Sequence, residues 1–371
     1  MIRTKSTLRM IAFVFAVLVV TAVGSAAADK LDALQKRVDR YAGLPRFVAP
    51  GPTFNAQECM RNKKILSIPV SSANPFTQNI ERAMSDVAKM VGFSFSTWDN
   101  QGQTSQWVQG MDYALNQKVS LIDLLGGTDP KVLVPQVKAA TNAGIKVIAS
   151  HYNGFEQTLP SGISGDIPIH YLEAGELIAD WAILKTRGNV NAIVLTSSEV
   201  FSTASMVDGI KREFAANCSR CKVKFVNVPI TDWSTRIQPD IQAALLADSS
   251  INYILPIYDS MSQFVVPAIT ITGSRNRVKI ATFNGTPFVL GLVQQGLVEM
   301  DLGENLNWIG HAIIDSEMRI ACGLPKVHDS MIPFYIFDQH NAKDAGTPPQ
   351  LSTGYGNAYM SGFRKLWGLK S

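Results

Sequence analysis

The residues best able to do chemistry in this chain are five histidines (His151, His170, His311, His328 and His340) and four cysteines (Cys59, Cys218, Cys221 and Cys322). His170-x-x-Glu173 supplies half of a helical metal site, but no HExxH, no GxSxG with a partner set and no Walker loop accompanies it. Gly126-Gly127-Thr128 is a strand-to-helix turn without the glycine spacing and lysine of a phosphate cradle. Cys218-Ser219-Arg220-Cys221 is a lone CxxC with no second CxxC and no histidine nearby, so zinc is not expected. The histidines then read as surface or hydrogen-bonded packing residues, and neither catalysis nor a cofactor is expected.

A different set of residues recurs with more purpose. Asn74-Pro75-Phe76 directly follows the apolar run Ile65 to Val70, placing a capping amide and a ring in a loop at a strand end. Similar loops follow at Trp98 to Asn100, Gly126 to Asp129 and Ser150 to Asn153, then at Thr196 to Glu199, Asp232-Trp233, Ile257 to Asp259 and Asn284 to Thr286. Each residue also has a plain structural explanation. Phe76 and Trp233 fit core rings, Asn74 fits a helix cap, and Asn284-Gly285 fits a turn.

The elements that must position these loops follow from hydrophobic periodicity. Apolar runs at 65–70, 93–97, 119–125 and 145–150 predict strands, and amphipathic stretches at 76–91, 103–117 and 130–143 predict the helices between them. After a loop at 152–166 the alternation resumes. Strands are expected at 190–195, 223–228, 251–255, 278–283 and 298–302, with helices at 171–187, 203–217, 235–247, 260–272 and 287–296. Asn305 to Cys322 predicts another helix and Ile332 to Phe337 a last strand, whereas 341–371 reads as a tail packed across the surface. Asp129-Pro130 and Asn74-Pro75 start helices, and Gly144 and Gly296 end them.

The pattern implies an α/β protein of two Rossmann-like lobes with parallel sheets. In such sheets ligands bind beyond the carboxyl ends of the strands. If the lobes face each other, Asn74, Phe76, His151, Tyr152, Trp233, Tyr258 and Asn284 line one cleft. That lining suits a sugar or polyol, whose C–H faces stack on rings while its hydroxyls pair with amides and carboxylates.

Bulk properties set the remaining bounds. Arg3, Lys5 and Arg9 precede an apolar run from Met10 to Val23, and Ala26-Ala27-Ala28 offers a cleavage site, so residues 1–28 read as a secretory signal peptide. Removing them takes three cations and no anion, lowering the formal charge from +4 to +1. No basic, aromatic-laced face for nucleic acid remains. No cysteine stands at the cleavage position to take a lipid anchor, and no later segment is long and apolar enough to span a bilayer, so a periplasmic monomer without membrane insertion is expected. In an oxidising compartment the four cysteines predict two disulfides, Cys218 with Cys221 and Cys59 with Cys322.

With these residues in view, the chain over roughly 60–340 resembles the type I periplasmic solute-binding proteins of ABC importers, of the ribose- and galactose-binding kind. The resemblance rests on Ile68 to Phe76, Lys146 to Ser150, Phe283-Asn284-Gly285-Thr286-Pro287, and Gly303 to Gly310 as the return crossover into the final first-lobe helix. It implies three hinge crossings and closure around a monosaccharide. Phe76 takes the family's first stacking ring, Trp233 the second-lobe ring and Glu304 the hinge-side polar group. It also implies an inner-membrane ABC permease as partner, although ligand presentation to a chemoreceptor or sensor kinase would use the same features.

The sequence departs from those sugar binders at several places. His151-Tyr152 stands where they carry Asp-Arg, Tyr258-Asp259 where they carry Asn-Asp, and Asn284 where they carry Asp. Their second-lobe Arg falls near Ala204 and is absent. Fewer charge-assisted bonds are then available, which widens the expected ligands to deoxy sugars, polyols or a small aromatic compound. The expected organisation is a signal peptide at 1–28 and an extension at 29–64, a first lobe from 65–168 plus 305–331, a second lobe from 169–304 plus 332–340, and a tail at 341–371.

Overall fold

The structure is a computed structural model that describes residues 29–370, so the expected signal peptide lies outside the described residues. It begins with helix α1 (29–39) and the short α2 (Ala56–Cys59). The alternating core then runs β1 (Lys64–Pro69), α3 (Pro75–Val91), β2 (Ser94–Thr97), α4 (Thr104–Asn116), β3 (Leu121–Leu125), α5 (Val134–Asn142), β4 (Lys146–Gly154) and β5 (Gly165–Ile169). These five strands form one parallel sheet in the order β2-β1-β3-β4-β5.

The second half comprises α6 (Tyr171–Thr186), β6 (Asn191–Thr196), α7 (Thr203–Asn217), β7 (Lys222–Asn227), α8 (Gln238–Ala247), β8 (Tyr253–Pro256), α9 (Ser262–Ile271), β9 (Lys279–Asn284), α10 (Pro287–Gln294) and β10 (Met300–Glu304). Helix α11 (Leu306–Ala321) then packs on α3, β4 and β5 of the first lobe, while β11 (Phe334–Asp338) returns to the second sheet. That sheet has the order β11-β10-β9-β8-β6-β7, and only the β10–β11 pair is antiparallel. The chain therefore passes between the lobes after β5, after β10 and after α11.

Local chemistry explains why the elements start and stop where they do. The Asn74 side chain accepts from the Phe76 N–H at 2.9 Å, Pro75 opens the first turn of α3, and Gly92 closes the helix in a left-handed conformation at φ 96°. β1 and β3 are buried on both faces, as strands covered by helices on each side must be.

Three expectations need correction. The region 152–166 is not one loop: β4 continues to Gly154, and β5, opened by Gly165 and containing Pro168, is too short and interrupted to show as a periodic run. The extension at 29–64 carries helices rather than a plain lead. Leu34 and Val38 of α1 are buried, and Arg37 pairs with Glu176 at 3.1 Å, Asp180 at 2.9 Å and Glu213 at 3.1 Å on α6 and α7. Arg37→Ala should detach α1 at a local cost of about 3–5 kcal/mol, because three carboxylates lose their cation. Limited trypsin digestion would show this as early cleavage between Lys30 and Arg46 with the rest of the chain still protected.

The third correction concerns the tail, which lies across the surface as expected but also drives an aromatic row into the core. Tyr355, Tyr359, Phe363 and Trp367 recur every four residues and are all buried, the last three on the face of α12 (Ala358–Leu366) and just beyond its end. Tyr355 packs on Tyr335 and Phe337 of β11, with ring centroids 5.9 and 4.8 Å away. Four residues later Tyr359 stacks on Trp308 of α11 at 5.2 Å, and Trp367 Nε1 donates to Asp315 at 2.8 Å. The extension joins the same layer, since Phe47 packs edge-on against Phe363 at 5.0 Å and the Phe54 N–H donates to the Leu366 carbonyl at 3.0 Å. Both chain ends thus touch both lobes.

Cys59 bonds to Cys322, tying α2 to the end of α11, and Cys218 bonds to Cys221 in the turn between α7 and β7. Among the described residues no helix is long and apolar enough to cross a membrane.

Candidate functional site

The carboxyl ends of the two sheets meet in a cleft lined by Phe76 and Asn74 from the first lobe and by Trp233, Tyr258 and Asn284 from the second, with His151 and Tyr171 at its floor. The walls stand close together, leaving a cavity of only about 30 Å³ between them. Among the described residues, no lysine or arginine lines it.

Each ring is set by its backbone. Asn74 caps α3 and so directs Phe76 at the second helical position inward, where its ring lies 4.7 Å from the His151 imidazole. His151 itself adopts a left-handed conformation at φ 48°, where the register of β4 against β5 shifts between Ser150 and Gly154. That conformation is uncommon for a non-glycine residue and turns the imidazole across to the other lobe. Trp233 opens a π-helical turn, Trp233–Ile237, a local distortion often found at functional sites. Its indole N–H donates to Ser197 Oγ at 2.9 Å and to the Val228 carbonyl at 3.1 Å, which fixes the ring in a stack with Tyr258 at 6.4 Å.

The polar groups form one network across the lobes. His151 Nε2 donates to Glu304 Oε2 at 2.8 Å, Asn284 Nδ2 reaches the same oxygen at 3.4 Å, and His151 Nδ1 pairs with the Tyr171 hydroxyl. Tyr258 reaches Ser202 and Thr203 at 3.1 and 2.9 Å. Burial pushes the Tyr258 hydroxyl up to about 12, and burial with the charge of Glu304 holds Tyr171 well above the usual phenol range. Both stay protonated and able to donate near neutral pH. Glu304 is fully buried, and its Oε1 has no partner, so one carboxylate acceptor remains behind the cleft for a donor to satisfy.

Of the eight expected site residues, six come together around the cleft: Asn74, Phe76, His151, Trp233, Tyr258 and Asn284. Glu304 stands behind them, bonded to two. Tyr152 is not brought to the cleft. The left-handed turn at His151 sends the two neighbouring side chains apart, so Tyr152 instead stacks on Phe201 at 4.9 Å and donates to Asp129 at 2.7 Å. Sequence reasoning missed Tyr171, Val70, Val200, Ser202, Ile230 and Ser260 in the lining. The apolar triplet Ile167-Pro168-Ile169 was the available signal for Tyr171, because it places that ring just past a strand end. Among the described residues no group of three or more His, Cys, Asp or Glu is placed to hold a metal ion.

Comparison with known proteins agrees with this architecture. A sequence profile of the periplasmic binding protein domain matches residues 65–325, and the chain belongs to that family of binding proteins, which are not enzymes. No curated protein sequence matches the chain. Among solved structures, the Caulobacter myo-inositol binding protein bound to myo-inositol is similar, with a TM-score of 0.65 at 18% identity over 82% of this chain and 99% of that one. A carbohydrate transporter of Acidothermus cellulolyticus in complex with myo-inositol gives a TM-score of 0.65 at 20% identity, covering 77% of this chain and 97% of that one. An ABC transporter periplasmic solute-binding protein of Actinobacillus succinogenes with bound D-allose gives 0.65 at 17%, covering 76% and 99%. At these identities the likeness is one of fold.

Proposed function

We propose that this chain is the periplasmic solute-binding component of an ABC importer, exported by its first 28 residues, and that it binds a small neutral sugar or polyol in the cleft. The observation that carries the reading is the pairing of rings from opposite lobes, Phe76 and Trp233, around a polar floor without a cation. Rings accept the C–H faces of a polyol, while Asn74, Asn284, Tyr171, Ser202 and Ser260 offer neutral partners for hydroxyls. An anionic sugar would find the Glu304 carboxylate behind the cleft and no lysine or arginine in its lining.

Ligand bridging Phe76 and Trp233 favours whichever lobe arrangement brings both rings onto it, and a permease can read that arrangement from outside. The reading is tested by thermal shift and calorimetry of residues 29–371 with myo-inositol, allitol, D-allose and D-glucuronate. A neutral ligand at 100 times its Kd stabilises the fold by about 2.7 kcal/mol and should raise the melting temperature by several degrees. D-glucuronate should leave it unchanged. Stronger stabilisation by the uronate than by every neutral compound would overturn the assignment.

A further inference from the structure

Tyr355 lies outside the matched domain, in the C-terminal segment, yet its hydroxyl sits directly behind the cleft. It contacts the backbone of Gly285 and Gly303, and a Cβ on either glycine would overlap it. Those glycines are the immediate neighbours of Asn284 and Glu304, the residues at the ends of β9 and β10. The two strands are paired with Gly303 opposite Asn284. Glycine at 285 also meets a backbone requirement, since φ there is 75°.

The surroundings show that the loop 284–286 is held from beneath. Asp259 accepts from the Thr286 N–H at 2.6 Å and from its hydroxyl at 2.8 Å, and Asp301 accepts from the Gly285 N–H at 3.2 Å. Tyr355 closes the remaining side. Its ring would be served equally by phenylalanine, because Tyr335 and Phe337 supply apolar contact. Its hydroxyl is buried without a hydrogen-bond partner, as are Asp301 Oδ2 and Glu304 Oε1. Burial, with the charges of Asp301, Asp259 and Glu304, keeps that hydroxyl protonated. An unpaired buried hydroxyl costs stability, so the fold retains here a group that packing alone does not need.

We infer that Tyr355 is a positioning residue for ligand binding: its hydroxyl, wedged between Gly285 and Gly303, fixes the placement of Asn284 and Glu304, and the C-terminal segment thereby completes the site. The inference rests on reading the cleft as the ligand site, and it separates stability from positioning. Removing the hydroxyl relieves an unpaired polar group while letting the two strand ends relax into the space it filled.

The test compares residues 29–371 carrying Y355F or Y355A with the parent chain. Without ligand, hydrogen exchange is measured at 283–287 and 302–306 together with the melting temperature, and affinity is measured with myo-inositol and D-allose. Y355F should melt at or above the parent temperature, exchange faster at those two segments alone, and bind the probe about tenfold more weakly. Y355A should loosen the same segments further; if it does not fold, Y355F decides. Parent-like exchange at both segments in Y355F would overturn the inference, as would faster exchange spread evenly over both lobes with a lowered melting temperature. If the parent binds neither probe, the ligand reading fails, while the exchange pattern still decides whether Tyr355 positions the two strand ends.

Discussion

Glu304→Ala should abolish measurable binding of any polyol the protein takes and destabilise the fold by about 1–3 kcal/mol for each buried donor it leaves unpaired. The expectation follows from its two contacts. Glu304 is the acceptor for His151 Nε2 at 2.8 Å and for Asn284 at 3.4 Å, so its loss frees one residue from each lobe at once. Glu304→Gln separates the two effects. It keeps an oxygen acceptor, so stability should stay near that of the parent, while affinity falls by about tenfold as a charge-assisted bond becomes a neutral one. Urea unfolding and calorimetry on the same preparations report both quantities. Parent-like affinity in the alanine variant would remove Glu304 from the site.

The second large effect concerns the disulfides, whose closed loops differ greatly in length. Cys59 and Cys322 are 263 residues apart, whereas Cys218 and Cys221 are separated by 3. In the chain-entropy account the first bond stabilises by about 5.6 kcal/mol and the second by about 2 kcal/mol. The variant with Cys59 and Cys322 both changed to Ala should therefore melt well below the one with Cys218 and Cys221 changed. Equal melting temperatures, or the reverse order, would show that structure persisting in the unfolded chain already constrains the long loop.

Much of the architecture was legible because local and global signals agree. Strands buried on both faces read as unbroken apolar runs, and Asn74-Pro75 and Asp129-Pro130 announce helix starts without tertiary context. The cleft was legible at the level of loops, since position past a strand end places Phe76, Trp233, Tyr258 and Asn284 on one rim. Side-chain direction was not. His151 and Tyr152 are adjacent, and the left-handed turn at His151, which sequence does not announce, decides that the imidazole faces the cleft while the phenol pairs with Asp129. Trp233 carries both meanings at once: it lines the cleft and is also part of the core built with Ile237 and Ile241. The depth to which the tail's aromatics are buried was not legible, because their partners on β11 and α11 are distant in sequence.

That tail has a mechanical consequence. Tyr355 is seated in one lobe and Tyr359 on the other, with Gly356, Asn357 and Ala358 between them, a span that cannot exceed roughly 14 Å even at full extension. If the lobes swing as proposed, the motion must pivot close to this short leash or else peel α12 away from Trp308, so a stretch of chain outside the cleft lining would limit its amplitude.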